Sequence, residues 1–192
     1  MKVFESIQDK LKLALDEPRF EHTLGVMYTA GCMAMAHGYD VSKAMLAGLL
    51  HDCAKCLTHQ ERLSLCERYD VEVTASELEN KALLHAKAGA ILAKTVYDIE
   101  DMEILHAIAV HTTAEQDMSM LDKIIYIADY IEPGRDKAPN LSQIRKLAYH
   151  DLNVCMAKIL DDTMGYLRSK GGLIDPTTAK AQEFYQQYRK EF

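Results

Sequence analysis

Apolar residues recur at helical spacing along almost the whole chain, and no segment shows sustained period-two alternation closed by hairpin turns. Residues 2–15 predict a first helix. Pro18, in a first turn after Asp16 and Glu17, starts a second that runs to about His37 before Gly38. Ser42 is placed to cap a third, whose apolar run from Ala44 to Leu50 closes on His51 and Asp52. Thr58 with Glu61 spells a capping box for a short helix to about Tyr69. A longer helical stretch is expected over Ser76 to Tyr97, and another from Asp98 or Asp101 to about His111. Ser119 with Asp122 opens Met120 to Ile131, stopped by Glu132, Pro133 and Gly134. Asn140 or Ser142 begins the next helix, and an amphipathic segment reaches about Ser169. Gly171-Gly172 breaks it, and Asp175 with Pro176 starts the last. The class is all-α, a helical bundle of irregular connectivity.

At 192 residues and 48% hydrophobic content, the chain can bury one sizeable core, so residues 1–192 are expected to form a single domain. No internal repeat or low-complexity tract marks a linker; the loop from Pro133 to Ser142 is only a weak candidate for a boundary. A net charge of -7 gives no footprint for a nucleic-acid duplex or an anionic membrane. Any anionic ligand must therefore meet a local cluster of cations. No apolar run is long enough to span a bilayer, and the start MKVFESIQDK lacks the apolar core of a signal peptide, so a cytoplasmic protein is expected. The five cysteines fit free thiols in a reducing compartment. Cys53 and Cys56 form a C-x-x-C with His59 three residues on. With no second ligand pair and no preceding strand, they are read as small residues at a helix end.

The candidate chemistry lies in an ordered set of ligand types: His22, the pair His51 and Asp52, then Asp129. Two imidazoles and two carboxylates suit a divalent ion such as iron, manganese or zinc and leave positions open for water and substrate, which points to a hydrolase. A His-Asp pair alone means little, since His150 and Asp151 form another in a polar setting. The first pair differs because it closes a buried apolar helix and needs partners there. His85 and His111 also stand where a bundle interior begins. His37, His59, His106 and His150 have weaker claims; His106 is offset five positions from His111 and faces another direction. Three cations accompany the ligand segments: Arg19 one turn before His22, Lys55 one turn after His51, and Arg135 just past the helix that carries Asp129.

The order His, His-Asp, Asp on a helical chain resembles the HD-domain superfamily of metal-dependent phosphohydrolases. The segments Arg19 to Val26, His51-Asp52-Cys53-Ala54-Lys55, and Ala128-Asp129-Tyr130-Ile131-Glu132-Pro133-Gly134-Arg135 look like the bacterial YqeK-type family. That family is described as symmetrical bis(5'-nucleosyl)-tetraphosphatases, which split diadenosine tetraphosphate into two ADP. The resemblance reaches Ile174-Asp175-Pro176-Thr177-Thr178 near the C-terminus.

It implies that His22, His51, Asp52 and Asp129 hold iron or a similar ion (manganese, cobalt or zinc), with Arg19, Lys55 and Arg135 meeting the phosphates. Asp52, His85 and His111 are the expected catalytic residues. His85 and His111 either ligate a second metal sharing Asp52 or touch the phosphate chain as general acids, the latter preferred. Thr112 adds a hydroxyl to the same phosphates, and Gly171 to Thr178, with Ile174, is the expected cover for the nucleotide. One departure is visible: Ala114 follows His111-Thr112-Thr113 where the family commonly has glycine, and a positive φ there would be costly for alanine. The alternatives are an HD-type phosphohydrolase of another nucleotide, or a catalytically silent nucleotide-binding module. A cyclic-dinucleotide enzyme would be expected to carry a Gly-Tyr-Pro string, which is absent. The Met-rich and Tyr-containing helices could supply a homodimer surface.

Overall fold

The structure is a computed structural model that describes residues 2–189; residues 1 and 190–192, the ends of the expected domain, lie outside the described residues. The described residues form eleven α-helices and a closing 3-10 turn, with no strand. The all-α class follows from the helical period of the apolar positions.

Helix α1 (Lys2–Ala14) leads into α2 (Glu17–His37), where the Asp16 carboxylate accepts the Arg19 amide at 3.0 Å and Gly38 closes the far end at φ 67°. α3 (Val41–Leu50) is capped by Asp40, not Ser42. Asp40 sits in extended backbone and takes the Lys43 amide at 2.9 Å, which leaves Ser42 inside the first turn. α4 (His59–Arg68) opens on the Thr58–Glu61 capping box.

The helix expected over Ser76 to Tyr97 is two helices. α5 (Ala75–Glu79) is opened by a Thr74–Glu77 capping box and ends at Asn80, whose side-chain oxygen accepts the Ala82 amide at 3.1 Å. α6 (His85–Thr95) then starts afresh. A local bond from an Asn side chain to its own backbone outcompetes the helix there, as such residues do in turns. The break sets His85 at a helix start rather than in mid-helix.

α7 (Met102–Val110) is capped by Asp101 and delivers His111, and α8 (Met120–Ile131) opens on the Ser119–Asp122 box with Asp129 in its last turn. Ala114, between them, has φ 55° and is fully buried. A left-handed alanine costs about 1 kcal/mol, against roughly 0.8 kcal/mol for one buried methyl, so the departure from glycine is close to balanced. α9 (Leu141–Leu147), α10 (Leu152–Lys170) and α11 (Pro176–Tyr185) complete the chain.

α3 lies against α2, α7 and α8, while α10 covers α8 with α9 and α11 beside it. The interior is apolar: Met27 and Met33 of α2, Leu49 and Leu50 of α3, Ile108 of α7, and Leu121, Ile124, Ile125 and Ile127 of α8 are essentially inaccessible. Gly48 fixes the closest approach. A Cβ there would stand 3.0 Å from the Met27 Cα, so α3 presses directly on α2 and carries its C-terminal His51 to the His22 ring, with centroids 5.3 Å apart. Among the described residues no helix is long and apolar enough to cross a membrane.

Candidate active site

Helix ends create the site. The last carbonyls of a helix lack an internal amide partner, and a histidine three residues on can supply one. The Nδ1–H of His51 donates to the Gly48 carbonyl at 2.8 Å, and that of His111 to Ile108 at 2.7 Å. His85, the first residue of α6, does the same to the Ala82 carbonyl of the preceding turn, at 2.5 Å. All three rings are thereby fixed in one tautomer, each with the Nε2 lone pair directed inward.

What those lone pairs meet are further acceptors. The Asp52 Oδ1 lies 2.8 Å from the His85 Nε2 and 3.5 Å from the His111 Nε2, and the two imidazole nitrogens are 3.1 Å apart. The His22 Nε2 is 2.9 Å from the Asp129 Oδ1, while the His51 Nε2 stands 3.7 Å from Asp52 and 3.9 Å from Asp129. His51 is fully buried, and its Nε2 has no hydrogen-bond partner.

Charge follows from this packing. Burial pushes His51 down to about 4, so its ring is neutral near pH 7. Burial alone would raise Asp52, but His51 and the close His111 and His85 rings outweigh it and hold the carboxyl well below its usual range. Asp129 is likewise held low against burial, by His22, His51 and Arg135. Burial would lower His22, yet its contacts with Asp129 and Glu132 keep it above the ordinary value, so a proton and a metal compete for the same nitrogen. A buried, neutral, partnerless imidazole nitrogen facing two ionised carboxylates is a donor set for a divalent cation. Two overlapping groups have the spacing to hold an ion: His22, His51 and Asp129, and His51, Asp52 and His111.

The predicted cations line the rim. Arg19, Lys55 and Arg135 border one cavity of about 550 Å³ together with His22 and Asp52. Each has a carboxylate partner: Arg19 binds Asp16, Lys55 reaches Asp52 at 3.3 Å and the His85 Nε2 at 3.0 Å, and Arg135 reaches Asp129 at 2.5 Å. Thr112 sits in the turn directly after His111, half-buried. Ile174 is half-buried in the turn before α11 and does not line that cavity. Its neighbour Asp175 is tied to Ser76 and Thr74 of the α5 cap, which places this segment beside the turn that leads to His85.

Three supporting residues were not legible as such in the sequence. The buried Arg62 donates to the carbonyls of Ala54, Lys55 and Lys81, clamping the His51–Cys56 turn to the turn before His85. Arg145 binds the carbonyls of Ile131, Glu132 and Arg135, fixing the turn after Asp129. Glu132 accepts the Nδ1–H of His22 at 3.0 Å. Only Glu132 left a trace, standing one turn beyond Asp129. The C-x-x-C carries no thiol pair: Cys53 is buried with its Sγ 3.4 Å from the Gly89 carbonyl, and Cys56 is exposed.

The HD-domain model matches residues 19–134, a span that holds His22, His51, Asp52, His85, His111 and Asp129, and the chain belongs to the HD-domain family. Within it, the chain is 38% identical over 168 residues to the "Bis(5'-nucleosyl)-tetraphosphatase, symmetrical" of Bacillus subtilis, covering 88% of this chain and 89% of that protein. It is 39% identical to the protein of the same name from Halalkalibacterium halodurans, over 88% and 89% of the two. A solved structure described as a predicted HD superfamily hydrolase involved in NAD metabolism, from Clostridium acetobutylicum, superposes with a TM-score of 0.92 at 41% identity, covering 97% of this chain and 98% of the other.

Proposed function

We propose that this protein hydrolyses diadenosine tetraphosphate symmetrically into two ADP at a divalent metal held by His22, His51, Asp52 and Asp129. The observation that carries this reading is the partnerless Nε2 of His51, buried between ionised Asp52 and Asp129 beneath a rim of three cations. The relatives' names supply the substrate class. Iron is the preferred ion, with manganese, cobalt or zinc able to use the same ligands. When bound, the ion supplies Lewis acidity at a phosphoryl oxygen and lowers the pKa of water.

The remaining work falls to side chains. Arg19, Lys55 and Arg135 neutralise the polyphosphate and set an inner phosphorus in line with a water oxygen. A bond forms from that oxygen to phosphorus, the bond to the central bridging oxygen breaks, and the second ADP leaves with the bridging oxygen. His85 and His111 face the developing charge, and the unprotonated His85 Nε2 takes the proton that the attacking water gives up and passes it to the leaving oxygen. Thr112 adds a hydroxyl donor from the adjoining turn, and the Ile174 segment covers the nucleotide.

Stripping the metal should abolish turnover, and adding back iron or manganese should restore it. Asp52→Ala should lose the ion and lower kcat/KM by about 10³-fold or more. Full activity in the stripped protein or in Asp52→Ala contradicts the assignment.

A further inference from the structure

His22 differs from the other three histidines in how its ring is held. His51, His85 and His111 each spend Nδ1–H on a carbonyl left free at a helix end or turn. His22 lies in the interior of the 21-residue α2, where the carbonyls are taken by the amides of the next turn. Its Nδ1–H has no such partner, and without one the ring is free to rotate or change tautomer.

Glu132 fills that gap. Its side chain is buried, one oxygen accepting from the His22 Nδ1 at 3.0 Å and the other from the Gly134 amide at 2.6 Å. The space around this carboxylate is kept free by two glycines on different segments. A Cβ on Gly25, one turn beyond His22, would come to 2.7 Å from the Glu132 Oε2, and a Cβ on Gly134 to 3.1 Å from both oxygens. Three residues on two elements thus form a cradle for one carboxylate.

We propose that Glu132 is the positioning residue for His22: it accepts the Nδ1–H hydrogen bond, fixes the ring with Nε2 toward Asp129, and depends on Gly25 and Gly134 for its room. This rests on the metal reading above, since a fixed Nε2 matters only if it is a ligand. Partners of this kind govern metal affinity through the orientation of the ligand they hold.

The test is Mn2+ titration of the metal-free full chain, followed by electron paramagnetic resonance, for wild type, Glu132→Ala, Glu132→Gln and Gly25→Ala. Glu132→Ala deletes the carboxylate and Gly25→Ala pushes it aside, so both should weaken Mn2+ binding about 10- to 100-fold, with Glu132→Gln intermediate. In the Zn2+-loaded protein, the His22 Nδ1–H should give a strongly downfield proton resonance that moves upfield in Glu132→Gln, a readout that loss of packing alone would not produce. If Glu132→Ala fails to fold, the glutamine and Gly25 variants and the resonance decide the matter. Binding within twofold of wild type in the folded variants, or an unmoved resonance, overturns the proposal. A wild-type protein that binds no Mn2+ removes the metal site itself, and the role of Glu132 with it.

Discussion

Lys55 is tied at once to Asp52 and to the His85 Nε2, so it brings a cation to the Asp52–His85 side of the cluster as Arg135 does to Asp129. It ligates no metal in the proposed set, and its removal should separate substrate use from ion binding. Lys55→Ala should keep the metal content of wild type while kcat/KM falls about 100-fold, equivalent to roughly 2.7 kcal/mol of transition-state stabilisation. Metal analysis and steady-state kinetics on one preparation check this.

His106 makes a second ion-paired group away from the site, with Nε2 3.1 Å from Glu115 and Nδ1 3.0 Å from Asp122. Burial lowers its pKa, but the two carboxylates outweigh this and raise it above the ordinary 6.5. A raised folded-state pKa stabilises the protein fully below the unfolded value, and the gain is lost as pH rises through the folded value. Wild type should therefore exceed His106→Gln by about 0.5 kcal/mol near pH 5.5, a discounted figure for a half-exposed group, with the gap closing by pH 8.5. Denaturant unfolding at the two pH values measures it. His51, Asp52 and Asp129 stood out in the sequence as candidates because ionisable residues at the ends of apolar helices are uncommon and needed an explanation; His22, inside α2, stood out only by residue type and order. His106 did not, because its partners come from later turns that no periodicity brings together.

Capping chemistry is local, so the starts of α2, α4, α7, α8 and α11 follow directly from Asp16, Thr58, Asp101, Ser119 and Asp175. The break between α5 and α6 was hidden because Leu83, Leu84 and Ala88 continue a helical apolar pattern through it, while the bond that ends α5 involves only Asn80 and Ala82. Arg62 and Arg145 were hidden for a different reason: each binds carbonyls of other segments, and a side chain's distant backbone partners leave no mark in its own neighbourhood. Replacing Arg62 by Met should leave three carbonyls of two site-bearing turns without their donor, at a cost of about 3 kcal/mol. Slower turnover should accompany the lower unfolding midpoint. An unchanged midpoint would mean that the turns hold themselves.

At the scale of the molecule, buried residues of α1, α2, α3, α6, α7, α8, α9, α10 and α11 join one apolar cluster, and the proposed ligands hang from three of those helices or their ends. We propose that the chain unfolds as one unit. Circular dichroism and tyrosine fluorescence should then report a single coincident transition, shifted upward by Mn2+ because an ion bound only by the folded state adds stability. Residue types and order make the metal reading accessible from sequence; the convergence of Nε2 atoms from α2, α3, α6 and α7 does not follow from any one segment. The most direct test of the central claim is to resolve the products of diadenosine tetraphosphate incubated with the metal-loaded protein in 18O-labelled water. Symmetrical attack at this site gives ADP alone, with one label per two ADP carried on a β-phosphate, and none of this from Asp52→Ala; ATP with AMP, or undiminished turnover by the variant, would contradict it.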